Sequence, residues 1–264
     1  MSSALTVSDV HVTFQRRGHE PVVAVDGVSL SLPPSGSLGL VGESGSGKST
    51  VARVIAGIQV PTTGEVRLDG ELLAPRRTKA QHRAIQLVFQ DPYSSLNPRR
   101  TVRSVLTELL AVHDLARGAA AAKRCAELME LVGLPEAALG RRPTAFSGGQ
   151  RQRLAIARAL AVDPTVIVAD EPVSALDVSI QATILELFAR LRDELGVSLL
   201  LISHNLAVVR QLCDQVAVMY HGQIVEIGER DQIFSAPQHE YTRTLLDAVP
   251  RLGQTAATNP GGEL

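Results

Sequence analysis

The sequence predicts an α/β chain: a core sheet flanked by helices, an antiparallel β portion at the N-terminus and a helical lobe inserted into the core. Three observations carry this reading. A strand, a glycine-rich loop and a helix follow one another over residues 37–58. The apolar runs Val166-Ile167-Val168-Ala169 and Val197 to Ile202 are continuous rather than alternating, the pattern of strands buried on both faces of a sheet. Residues 97 to about 160 hold helical patterns and no convincing strand.

Composition narrows the possibilities. A chain of 264 residues can bury a full core. Lys and Arg number 26 against 27 Asp and Glu, so no global basic field points to nucleic acid. Cys125 and Cys213 lack metal-site spacing and sit in apolar, helix-like surroundings, which predicts buried small hydrophobes in a reducing compartment. Residues 1–10 lack the charged and apolar regions of a signal peptide, and the longest apolar run is strand-sized. A soluble, cytoplasmic chain is expected, with any membrane role supplied by a partner.

Taken in order, residues 5–32 predict antiparallel strands. Leu5 to Val7 and Val10, Val12 and Phe14 alternate, Arg17-Gly18 turns, and Val22 to Leu32 is rich in β-branched residues. Phe14 at a strand end could stack on an adenine ring or simply fill the core, and both readings stand. Ser37 to Val41 reads as a buried strand and Thr50 to Ile58 as a helix with Val51, Val54, Ile55 and Ile58 at helical spacing. Between them lie Gly42, Glu43, Ser44, Gly45, Ser46, Gly47, Lys48, Ser49 and Thr50, which fit G-x-x-x-x-G-K-[ST]. Glycines let successive N–H groups converge on phosphate oxygens, and the helix dipole favours negative charge there. Lys48 would reach the β- and γ-phosphates and Ser49 would sit on Mg²⁺. An ordinary strand-to-helix turn needs neither residue, so the stretch implies a nucleoside triphosphate site.

Further on, Pro61 to Gly64 predicts a turn and Glu65 to Gly70 a strand. Ile85 to Phe89 is a strand ending in Gln90, placed either to touch Mg²⁺ or its water or merely to cap the strand. The irregular segment Asp91 to Pro98 follows, moderately apolar through Tyr93 and Leu96. Val102, Val105, Leu106, Leu109 and Leu110 share one helix face, and an Ala-rich helix runs to Val132 before Gly133. Ser147-Gly148-Gly149-Gln150 precedes a helix from Leu154 to Val162 and reads as a second anion site, since a plain N-cap would not explain two glycines. After Val166 to Ala169 come Asp170 and Glu171, two acids at a strand's carboxyl end. Asp170 would hold the Mg²⁺ shell, and Glu171 would orient and deprotonate a water. A helix follows with Ile180, Thr183, Ile184, Leu187, Phe188, Leu191 and Leu195 on one face, stopped by Gly196. His204, just past Val197 to Ile202, is either a structural cap or a ligand of a γ-phosphate. Val216 to Tyr220, His221-Gly222 and Gln223 to Ile227 form a hairpin, and the polar residues after Thr255 predict disorder.

With these residues in hand, the chain resembles the ATPase subunit of an ABC transporter, a P-loop NTPase with a RecA-like core. The resemblance covers about residues 5–250 and rests on the phosphate loop, Gln90, Ser147 to Gln150, Val166 to Glu171, Ser174-Ala175-Leu176-Asp177 and His204, in family order. It implies ATP and Mg²⁺ as ligands, with Ser49, Gln90 and Asp170 on the metal and Lys48, Gln90, Glu171 and His204 as the catalytic set. It further implies a head-to-tail pair of ATPase subunits, identical or paralogous, in which Ser147, Gly148, Gly149, Gln150 and Asp177 face the partner's ATP. Phe14 matches the adenine-stacking position. Two membrane-spanning permease subunits and, indirectly, an extracytoplasmic solute-binding protein are the implied companions, with the chain peripheral on the cytoplasmic face of the membrane and no nucleic acid involved.

Val41 to Thr50, Gln90 to Val102, Val173 to Ala182 and Pro237 to Pro250 look like the dipeptide/oligopeptide and nickel importer branch. Asn205 stands where that family often has Asp, which predicts a looser loop after His204, and Arg141 to Ala145 departs from the usual residues before the serine-glycine signature. The implied organisation is one ATPase domain over 1–250, with an α/β core at about 1–96 and 161–235. The helical lobe takes about 97–160, a peptide-transporter-like segment about 233–250, and a tail 251–264. A nickel or other small-solute importer is the alternative. A soluble relative in DNA repair or translation would carry long insertions or fused cassettes, and a GTPase or kinase would not explain the signature or His204.

Overall fold

A computed structural model describes residues 4–15, 18–92 and 95–248. In chain order come β1 (Leu5–Phe14), β2 (Val22–Leu32), β3 (Ser37–Val41), α1 (Lys48–Ile55), β4 (Thr63–Leu68), β5 (Glu71–Leu72), α2 (Lys79–Ala84) and β6 (Ile85–Val88). Then α3 (Val102–Val112), α4 (Gly118–Leu131), two 3-10 turns and α5 (Gly148–Leu160) follow without a strand. The chain continues through β7 (Val166–Asp170), α6 (Val178–Leu195), β8 (Ser198–Ile202), α7 (Leu206–Leu212), β9 (Gln215–Tyr220), β10 (Gln223–Glu229), α8 (Arg230–Ser235) and α9 (Glu240–Asp247).

Two sheets result. The antiparallel one runs β2-β1-β4-β5, and the larger one β10-β9-β3-β8-β7-β6, parallel except for β10. The unbroken apolar runs are explained by where alternate residues go. Ile167, Ala169, Leu199 and Leu201 pack with the helical lobe, α6 and α7. Val166, Val168, Leu200 and Ile202 pack on the opposite face with α1 and the antiparallel sheet. Both faces are covered, so no position on these strands can be polar without a partner. Helix α6 buries Ile184, Leu185, Leu187, Phe188 and Leu191, each side chain stabilising by about 1.5–3 kcal/mol, and ends at Gly196 in the left-handed conformation.

Several elements differ from the sequence reading. Helix α1 starts at Lys48 rather than Thr50 and stops at Ile55, leaving Ile58 exposed. Helix α5 starts at Gly148, six residues before Leu154, because Ser147 caps it. Thr183 and Leu195 fall outside the buried stripe of α6. Leu96 is only 4% exposed and belongs to the core beneath the lobe, so its side chain is not offered to a partner. Tyr93, the other apolar residue singled out in the segment Asp91 to Pro98, and the predicted tail lie outside the described residues.

Candidate functional site

The carboxyl ends of β3, β8, β7 and β6 are neighbours along the parallel sheet, and each delivers a piece of one site. After β3, the chain turns through Gly42 and Gly47 at φ of 148° and 108°. No other residue fits there. A Cβ on Gly42 would lie 2.0 Å from the Met219 carbonyl oxygen, and one on Gly47 2.3 Å from that of Ala24. Helix α1 begins immediately after Gly47 with no side-chain cap, so its first N–H groups and its dipole face the loop.

Lys48 is nearly buried. Its ammonium donates to the carbonyls of Gly42 at 2.8 Å and Glu43 at 2.6 Å and to Ser46 Oγ at 3.3 Å. Burial pushes its pKa down, opposed by the charges of Glu171, Asp170 and Glu43. Ser49 Oγ donates to Asp170 Oδ1 at 3.1 Å, joining α1 to the end of β7. Burial likewise pushes the Asp170 carboxyl up, and the Ser49 hydroxyl only partly offsets it. Two buried ionisable groups thus stand close without neutralising one another. An anion beside Lys48 and a divalent cation beside Asp170 would relieve both, and a hydroxyl with a carboxylate is the hard oxygen set that suits Mg²⁺. The residues fit the group.

Glu171 follows at φ 49°, a left-handed conformation unusual for a side chain of this size, while its N–H still pairs with the Ile202 carbonyl at 2.9 Å. The twist aims its carboxylate away from the sheet. Oε1 lies 2.9 Å from His204 Nδ1, and Oε2 accepts from Gln90 Nε2 at 3.3 Å. Each oxygen is therefore held from a different strand end. Of the two readings of His204, structural cap or γ-phosphate ligand, neither describes the contact seen here, in which its Nδ1 meets Glu171. Asn205 Oδ1 accepts the Ala207 N–H at 3.0 Å and caps α7.

Gly42, Glu43, Ser44, Gly45, Gly47, Lys48, Ser49, Thr50, Gln90, Glu171 and His204 line one cleft of about 640 Å³, large enough for a nucleotide. Phe14 is not among its lining residues; it ends β1 opposite Val22 and is 38% exposed. Ser147, Gly148, Gly149, Gln150 and Asp177 do not line the cleft either. Ser147 and Gln150 form a reciprocal cap, Ser147 Oγ accepting the Gln150 N–H and Gln150 Oε1 the Ser147 N–H. The glycines differ. A Cβ on Gly149 would meet Ile180 Cγ2 at 2.4 Å, whereas one on Gly148 would find only Leu176 Cδ2 at 3.4 Å. Arg141, from the departing segment before the signature, donates to the Ala145 carbonyl and lies over the Phe146 ring. Tyr241 and Leu245 of α9 also reach the site: Tyr241 Oη accepts the Glu43 N–H, and Leu245 lines the cleft. Neither was singled out in the sequence, because some 200 residues separate them from the loop.

A glycine-rich anion loop with a buried lysine, faced by two acids at the end of a strand two places along the same parallel sheet, defines a P-loop nucleoside triphosphatase. Within that class the chain belongs to the ABC transporter family, whose model matches residues 25–174. A second model, for the C-terminal region of oligopeptide/dipeptide transporters, matches residues 225–263. The oligopeptide transport ATP-binding protein OppF of Lactococcus lactis is 44% identical over 97% of this chain and 83% of its own length. The dipeptide transport ATP-binding protein DppF of Escherichia coli is 48% identical over 88% and 70%. Among solved structures, the dimeric post-hydrolysis state of the ATP-binding cassette MJ0796 bound to ADP and Pi is similar at a TM-score of 0.75 and 30% identity, covering 86% of this chain and 98% of that one. The cbiO1 protein of Clostridium perfringens, part of the cbiONQ transporter complex, reaches 0.79 at 26% identity, over 96% and 98%. Among the described residues, no helix is long and apolar enough to cross a membrane.

Proposed function

We propose that this chain is the ATP-binding, ATP-hydrolysing subunit of an importer of dipeptides and oligopeptides, peripheral on the cytoplasmic face of the membrane. One observation carries the enzymatic reading: Lys48, Ser49 and the Glu171–His204–Gln90 cluster line a single cleft, with Asp170 joined to it through Ser49. Gly42 to Thr50 hold the triphosphate, and Lys48 bonds its β- and γ-phosphates. Ser49, Asp170 and Gln90 hold Mg²⁺, which when bound offsets phosphate charge and polarises the bond to be cut. Glu171 takes the proton of the attacking water, its carboxylate kept in line by His204 and Gln90. Phe14 stacks on adenine once nucleotide is present.

Ser147 to Gln150 and Asp177 face the ATP of a second ATPase subunit. A Cβ on Gly148 would meet only Leu176 Cδ2, at an ordinary 3.4 Å, and this supports the reading, since packing among the described residues does not require a glycine there. The ATPase domain runs to about residue 250, with its helical lobe at about 97–160, and serves two permease subunits and indirectly a solute-binding protein outside the membrane. Peptide as cargo is supported by the names of the relatives and by the match over residues 225–263. The test is uptake of labelled di- to pentapeptides by cells deleted for this chain and complemented with wild type or Lys48→Ala. Peptide uptake restored by wild type alone is expected. Restoration by Lys48→Ala would overturn the ATPase reading, and restored nickel but not peptide uptake would overturn the cargo.

A further inference from the structure

The C-terminal helix grips the phosphate loop at one peptide unit. Glu43 N–H donates to Tyr241 Oη at 3.1 Å, and the carbonyl of the same planar peptide, that of Gly42, accepts from Lys48 Nζ at 2.8 Å. The tyrosine hydroxyl and the lysine ammonium therefore hold opposite ends of one rigid plate. Hydrogen bonds in series through a peptide polarise each other, so fixing one end steadies the other.

Tyr241 is itself well anchored. Its ring stacks on Tyr220 at the end of β9, with centroids 4.0 Å apart and planes at 30°. The turn entering α9 is clamped to β10, because Gln238 and His239 N–H donate to the two Glu226 carboxylate oxygens at 2.8 and 3.1 Å. Burial works against ionising Glu226, but these backbone donors, with Thr242 and His239 beside it, together outweigh it and hold its carboxyl below the usual value. Leu245, one turn beyond Tyr241 on the same face, lines the cleft. Burial raises the Tyr241 phenol, which keeps it a neutral hydroxyl at physiological pH.

We propose that Tyr241 is a positioning residue of the nucleotide site, setting through the Gly42–Glu43 peptide where Lys48 stands, so that docking of α9 and ATP binding tighten one another. This rests on the reading of Lys48 given above. Linkage makes the coupling reciprocal: whatever affinity α9 adds to ATP, ATP adds to the docking of α9.

The variant is Tyr241→Phe, which keeps the ring stack and removes only the hydroxyl. Calorimetric titration of the full chain with ATP is expected to show affinity weakened about 2- to 10-fold, the value of one neutral hydrogen bond. In steady-state hydrolysis KM should rise by the same factor with kcat within about twofold, because Glu171 is untouched. A merely structural tyrosine would instead lower the active fraction, and with it kcat, at unchanged KM, and that result overturns the proposal. Lys48→Ala is run alongside. If Lys48→Ala loses ATP affinity while Tyr241→Phe matches wild type, the tyrosine's role falls and the site stands. If Lys48→Ala binds ATP normally, the reading of the site falls with it.

Discussion

Adding one methyl group at each of the two adjacent glycines of the α5 N-terminus should separate folding from function. At residue 149 the new Cβ would sit 2.4 Å from Ile180 Cγ2, well inside contact distance, so α5 and α6 must part or Ile180 must leave its rotamer. Overpacking of this kind costs about 1–3 kcal/mol, less up to ~1 kcal/mol regained because Ala favours helix over Gly. The net loss of about 0–3 kcal/mol lowers Tm by up to about 12 °C at about 2–4 °C per kcal/mol for a chain of this size. At residue 148 the Cβ stands at an ordinary 3.4 Å from Leu176, so Gly148→Ala gains a few tenths to about 1 kcal/mol and Tm holds or rises. Its cost falls elsewhere. If this face closes over a partner subunit's triphosphate, as proposed, the methyl would intrude there, and a clash of only ~1.4 kcal/mol would weaken the ATP-bound dimer about tenfold. Scanning calorimetry of the free chain and light scattering with ATP measure the two effects separately. Gly148→Ala with undiminished dimerisation and hydrolysis would refute the assignment of this surface, and Gly149→Ala with a Tm at or above that of Gly148→Ala would refute the packing argument.

Glu171→Gln should slow phosphate release by about two to four orders of magnitude while ATP traps a stable dimer, visible by size exclusion; wild-type turnover removes Glu171 as the base. Leu96→Ala, in a core position, should cost about 2–5 kcal/mol and lower Tm rather than selectively uncouple uptake, and an unchanged melting curve would contradict its burial. Burial raises the thiol pKa of Cys125 and of Cys213, so neither should react with an aromatic disulfide reagent at neutral pH until the chain unfolds. Rapid labelling of the native chain would show that one of them is accessible.

Much of this architecture is legible because burial on two faces leaves a mark no other element shares. Val166 to Ala169 and Val197 to Ile202 could be read as core strands for that reason, and their ends then pointed to Glu171 and His204. Helix starts mislead: α5 opens with two glycines of poor helix propensity, and α1 opens with Lys48 and Ser49, which belong to the loop motif and show no periodic face. Helix α2 left no apolar period because it buries nothing and is held by the reciprocal cap of Thr78 and Gln81. Helices α7, α8 and α9 are 6 to 8 residues long, too short for a pattern to emerge. The bond from Glu43 to Tyr241 is a tertiary contact between a loop and a helix that share no local signal, so only the folded chain reveals it.

The strand order of the parallel sheet has a metric consequence. Counting from β3, the strand ends carry the phosphate loop, then His204 after β8, Glu171 after β7 and Gln90 after β6. Neighbouring strands are spaced by about 4.8 Å, so their backbone ends stand at about 5, 10 and 14 Å from the end of β3, like marks on a rule, and side chains reach across the intervals, as Ser49 does to Asp170. A ligand held at the loop would be gauged by its length against these ends. One a phosphate shorter would reach fewer of them. Side-chain substitution can blunt a mark but cannot shift it, since the interval is set by backbone hydrogen bonds; to gauge a different length, the chain would need its strands in a different order.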